Sequence, residues 1–80
     1  MTITIHNTDK MVELQADPDG RVVVGARLWE GHTESGIAVH VLVVRLLVDE
    51  KDRQEEFERE LQETRPCTPA GSSIPMRLIL

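Results

Sequence analysis

Apolar residues cluster most densely between Gly36 and Val48, in the run GIAVHVLVVRLLV, where only His40 and Arg45 interrupt them. A run this long and this rich in Val and Ile favours an extended strand over a helix. Alternation then puts Ile37, Val39, Val41, Val43 and Leu47 with Arg45 on one face, and Ala38, Leu42, Val44, Leu46 and Val48 with His40 on the other. Each face is polar only once, so the pattern predicts a long central strand that needs cover on both sides.

The remaining chain supplies shorter elements. Thr2 to His6 alternates Thr and Ile and reads as a strand, Asn7-Thr8-Asp9 as a turn, and Met11 to Ala16 as a second strand with Val12, Leu14 and Ala16 facing away from Met11, Glu13 and Gln15. Asp17-Pro18-Asp19-Gly20 combines a residue preset for a turn with a glycine able to take the left-handed exit, which predicts a hairpin. The following strand sets Val22, Val24, Ala26 and Leu28 against Arg21, Val23, Gly25, Arg27 and Trp29, with Gly25 marking a bulge or close approach. Gly31 to Gly36 is polar and closes a second hairpin into the long apolar strand.

After Val48 the period changes. Asp49 offers an N-cap for a helix from about Glu50 to Thr64, whose apolar stripe is only Phe57 and Leu61, and the acid-before-base pairs Asp49/Arg53 and Glu55/Arg59 support it. Pro66 ends that helix, Arg65 to Ser73 reads as a loop, and Ile74 to Leu80 as a closing strand with Ile74, Met76, Leu78 and Leu80 on one face.

These elements predict a single α+β domain across residues 1–80: a small mixed or mainly antiparallel sheet of four to five strands, in the order β-β-β-β-α-β, with one helix packed on one face. If the last strand lies parallel to the Gly36–Val48 strand, the helix is a right-handed crossover between them. With one Trp, one Phe and no Tyr, the core must be built from Val, Leu and Ile. A single helix covers one face, so the other calls for a second copy of the chain, with Val39, Val41, Val43 and Trp29 as the interface. A sheet curling into a partial barrel is the alternative way to cover it.

Charge narrows the partners. The net charge is -5, and Asp49 to Arg65 carries eight acidic residues against four basic ones, so the acidity is concentrated on the helix. No basic stripe exists for a phosphate backbone, which argues against nucleic acid as a partner. Arg45 and Asp49 interrupt the longest apolar run short of a bilayer span, so no membrane is expected. A lone Cys67 and a start, MTITIHNTDK, without the pattern of a signal peptide give the expectation of a reduced, cytoplasmic protein.

No chemistry-bearing pattern rises above background. His6, His32 and His40 offer only His32-x-Glu34 as a close ligand pair, so no metal is expected. Cys67 has no supporting His, and Ser35, Ser72 and Ser73 lack the Gly-x-Ser-x-Gly setting of an exposed nucleophile. No glycine loop suited to phosphate is present, so neither a cofactor nor a catalytic residue is assigned. The stretches WEGHTESGI, FERELQE and IPMRLIL resemble, in style, the short proteins carried by bacterial phages and other mobile elements, and that resemblance implies an accessory protein acting by binding. The expectation is therefore a non-enzymatic, protein-binding homodimer. The alternative is a small-ligand binder or enzyme with a pocket between helix and sheet, or at the dimer seam, where Arg27, Trp29, His40 and Arg45 converge.

Overall fold

The two inner strands of the sheet come from the alternating N-terminal segments, and the most apolar segment lies at an edge. The computed structural model describes residues 1–79. It contains β1 (Ile3–Gln15), β2 (Val23–Thr33), β3 (Ala38–Val43), a turn of 3-10 helix (Lys51–Arg53), α1 (Gln54–Leu61), α2 (Pro69–Ser72) and β4 (Arg77–Ile79). The sheet runs β3-β2-β1-β4, with β4 parallel to β1 and the other pairs antiparallel. This is the α+β class with a four-stranded mixed sheet that the sequence predicts.

Thr2–His6 and Met11–Ala16, predicted as separate strands, are the halves of one. Asn7 lies opposite Trp29 and Met11 opposite Arg27, so Thr8, Asp9 and Lys10 share the single position of Leu28 across the ladder. Asn7-Thr8-Asp9 is thus a bulge and not a turn. The insertion adds two residues, and an even insertion preserves the alternation, so Val12 and Leu14 still face the core. The short polar side chain of Thr8 meets the demand the bulge creates, its Oγ1 donating to the Leu28 carbonyl at 2.5 Å. On the other side of the bulge, the Asp9 amide donates to Arg65 O at 3.0 Å.

The Asp17–Gly20 turn forms as read: Gly20 takes φ 72° and the Val22 amide donates to Asp17 Oδ1 at 2.9 Å. The second hairpin turns over Glu34-Ser35-Gly36, where Gly36 adopts φ 89° and its amide donates to Thr33 O at 3.0 Å. Beyond it only Ala38–Val43 of the apolar run enters the sheet. Two hairpins in series set β3 beside β2, and β4 then pairs with β1, Leu78 opposite Leu14, so β3 and β4 end on opposite edges. The expected crossover between them is therefore absent from the described residues. Ile37, Val44, Leu46 and Leu47 are exposed, Leu47 at 82%.

Val12, Leu14, Ala26 and Leu28 form the buried core, with Leu42, Ile74 and Leu78 packed round it on one face. Cover comes from the segment predicted as a plain loop. Thr68 caps α2, its Oγ1 accepting from the Gly71 amide at 3.2 Å, with Pro69 at the first helical position. Lys10 reaches this segment from the bulge. Its Nζ donates to the carbonyls of Gly71, Ser72 and Ile74 at 2.5 to 3.1 Å and is buried in doing so. The opposite face carries α1, tied by the Asn7 amide nitrogen donating to Leu61 O at 2.6 Å. Elements of the chain itself therefore lie on both faces of the sheet, where the sequence predicts one helix on one face and a second copy of the chain on the other.

The helix is shorter than expected. Asp49 does not cap it; Glu50 precedes the 3-10 turn without a side-chain cap bond, and α1 proper begins at Gln54. Arg53 pairs with Glu50 and Glu56 rather than Asp49, at 3.4 and 3.1 Å. The closing strand is confined to Arg77–Ile79, and the expected inward position of Leu80 lies outside the described residues. Met76 is exposed, whereas Ile74 and Leu78 turn inward as read. No helix among the described residues is long and apolar enough to cross a membrane.

Candidate functional site

Strand alternation decides which of the singled-out residues can meet. Arg27 lies opposite Val43 and Trp29 opposite Val41, so both project from the sheet face under α1. There they line a cleft of about 630 Å³ bordered by Leu61 at the end of α1, Gln62 just beyond it, and Arg45 and Leu46 of the connecting segment. Gly25 lies on its floor. A Cβ at Gly25 would meet only Met11 Cε, at 3.8 Å, so this glycine leaves open space where a bulge or close approach was expected.

The cleft has one anchored and one free cation. Arg27 Nη1 donates to Thr8 O at 3.0 Å, which ties the guanidinium to the bulge. Arg45 has no ion-pair partner among the described residues. Glu58 contributes a single negative charge to the lining. Beside the cleft, Asn7 Oδ1 is buried with no hydrogen-bond partner among the described residues.

His40 does not join this group. It lies directly opposite Glu30 on the other face, and its Nε2 is 3.0 Å from Glu30 Oε2. Arg27, Trp29 and Arg45 thus converge, while the fourth predicted member is excluded by the alternation that brings the others in. Val39, Val41, Val43 and Trp29, the predicted interface, do share one face, as Gly31 opposite Val39 and Trp29 opposite Val41 require.

On the His40 side, Glu30 joins the sheet to α2. It accepts from the Thr68 amide at 2.9 Å and the Thr68 hydroxyl at 2.6 Å. Gly71 packs so closely against the carboxylate that a Cβ there would displace it from its place beside Thr68. Burial pushes the Glu30 carboxyl upward, but the Thr68 hydroxyl and amide together with His40 outweigh it and hold the group below the usual carboxylate range. Replacing Glu30 by Gln is expected to cost about 1–2 kcal/mol near pH 7, where the charge-assisted bonds are intact. A depressed carboxyl stabilises the fold above its unfolded value and loses that contribution as pH falls through the folded one. The difference between the two proteins should therefore shrink below about pH 4, as read from urea unfolding at a series of pH values.

His6 lies opposite Glu30 from the β1 side and lines the same shallow depression as His32 and His40. Among the described residues no three of His, Cys, Asp and Glu are grouped to hold a metal ion. Cys67 is half-buried, its Sγ 3.5 Å from Ser72 Oγ, and packs against α2.

Set against models of known protein families, curated proteins and solved structures, the chain matches none.

The residues that organise both faces, Asn7, Lys10, Glu30 and Thr68, are not singled out by motif. Two signals for them exist in the chain. Lys10 shares the parity of Val12 and Leu14, which makes it a charge at an inward position, and Thr68-Pro69 is a helix-start pair.

Proposed function

We propose that the chain is a non-enzymatic binding protein of the cytoplasm that works as a homodimer joined along β3. The observation that carries this reading is the state of that edge. Among the described residues nothing pairs with the outer side of β3, which has no Lys, Pro or bulge and only His40 as a polar residue. Such an edge is a template for another strand, and natural sheets normally blunt it. The opposite edge is different, since β4 is only three residues long. Pairing two copies antiparallel about a two-fold axis joins the sheets and continues the face bearing Trp29, Val39, Val41 and Val43 across the seam. Exposed Ile37, Val44 and Leu47 flank that edge and gain cover in the same step. The acidic outer side of α1 is then the surface offered to a further protein.

Light scattering over a range of concentrations tests this directly. The wild type is expected at twice the mass of one chain, and Val39→Lys, which places a charge on the edge strand, is expected to weaken association at least tenfold with an unchanged circular dichroism spectrum. A wild type that stays at the mass of one chain to several hundred micromolar overturns the reading.

A further inference from the structure

We propose that the cleft between α1 and the sheet is a binding site for small amphipathic carboxylic acids. Three features point to this class of ligand. First, apolar side chains line much of the cleft, among them the single Trp of the chain, half-buried, with Val43, Leu46 and Leu61. Its volume of about 630 Å³ lies within the roughly 300–1,000 Å³ of small-molecule sites.

Second, charge runs against the rest of the molecule. The chain as a whole is at -5, yet two arginines line the cleft against one acidic residue, Glu58. Arg27 is held in place through Thr8 O, and among the described residues Arg45 has no hydrogen-bond or ion-pair partner, which leaves its donors for a ligand. A guanidinium presents a planar fork that matches a carboxylate, so an anion with two coplanar oxygens fits better than a cation or an alcohol. Third, Gly25 leaves the floor open where a long side chain would fill it. The ligand's apolar body lies over Gly25 and against Trp29, and its carboxylate meets Arg45 with Arg27 behind it.

Trp29 is the natural reporter, and octanoate is the probe, with 1-octanol and octylamine as controls of the same length. Octanoate is expected to shift Trp29 emission to shorter wavelength, saturably and with one molecule per chain, and to bind at least tenfold more tightly than either control. Arg45→Gln is expected to weaken octanoate at least tenfold while leaving octanol unchanged, and Arg45→Lys to fall between, because it keeps the charge but loses the fork. Gly25→Leu should abolish binding of all three compounds. The thermal midpoint of each variant, measured without ligand, separates a lost site from a lost fold, and Arg45 is exposed so its replacement leaves the core untouched. Equal affinity for octanoate and octanol, an Arg45→Gln protein that binds octanoate like the wild type, or a Trp29 emission that does not respond each overturns the proposal.

Discussion

Lys10→Met is expected to lower stability by about 3 kcal/mol, although methionine fills much of the same volume. The Nζ of Lys10 donates to the carbonyls of Gly71, Ser72 and Ile74, at and just beyond the end of α2; Gly71 O also accepts from the Ile74 amide at 3.2 Å, whereas among the described residues the other two rely on Lys10. Removing the donor leaves the part-buried Ser72 and Ile74 carbonyls unpaired at about 1–3 kcal/mol each, discounted because parts of the segment can reach water once it lifts. A helix of four residues has no stability apart from its docking, so the loss falls first on α2. Two measurements distinguish local from global opening. Urea unfolding reads the total, and the rate of Cys67 alkylation reads α2, because the thiol packs against Ser72. The variant should label at least tenfold faster in the absence of denaturant. A variant that keeps both its unfolding midpoint and its labelling rate removes Lys10 from the account of the fold.

Gly31→Ala is expected to be as damaging, and Gly25→Ala, six residues earlier in the same strand, nearly silent. A Cβ on Gly31 would run into the backbone of β1, 2.7 Å from Ile5 Cα and closer still to Thr4 O. Backbone cannot rotate away as a side chain can, so the β1–β2 ladder between Ile3 and Asn7 must part to admit the methyl group. Overpacking of this kind costs about 3 kcal/mol, which in a small domain shifts the thermal midpoint by roughly 12–24 °C. At Gly25 the methyl group would meet only Met11 Cε at an ordinary contact distance, and alanine suits a strand better than glycine. Differential scanning calorimetry of the pair checks both. If the two variants melt together, the close approach at Gly31 does not govern the ladder.

The contrast between these glycines shows where sequence reading stops. Both stand in β2, although the sequence reads Gly25 as strand and Gly31 as the start of the second hairpin turn. Which of them touches backbone depends on the register of β1, and that register is set by the two extra residues at Thr8 to Lys10. The same bulge explains why two strands were read where one exists. Asn, Thr and Asp favour turns because their side chains bond to nearby backbone, and here those bonds go instead to Leu28 and to Leu61 across the fold.

Within the candidate cleft, the shared face of Arg27 and Trp29 was legible because they are two apart in a strand. Arg45 was legible as a lone charge in an apolar run. His40 fails to join the cleft for a reason of parity: it stands on the face opposite Val41 and Val43 in the alternation of β3, and a pocket needs residues from one face. The role of Glu30 was not legible, since its partner Thr68 is 38 residues away and no local pattern links them.

By itself the sequence determined the α+β class, both hairpin turns and the inward faces of β1 and β2, because turn residues and alternation act through near neighbours. Tertiary structure alone decided that β4 joins β1, that the most apolar strand therefore lies at an edge, and that a segment read as loop covers the core. Those outcomes rest on pairings between residues more than fifty positions apart, Lys10 with Gly71 and Leu14 with Leu78, whose energy depends on geometry that no local run of residues contains.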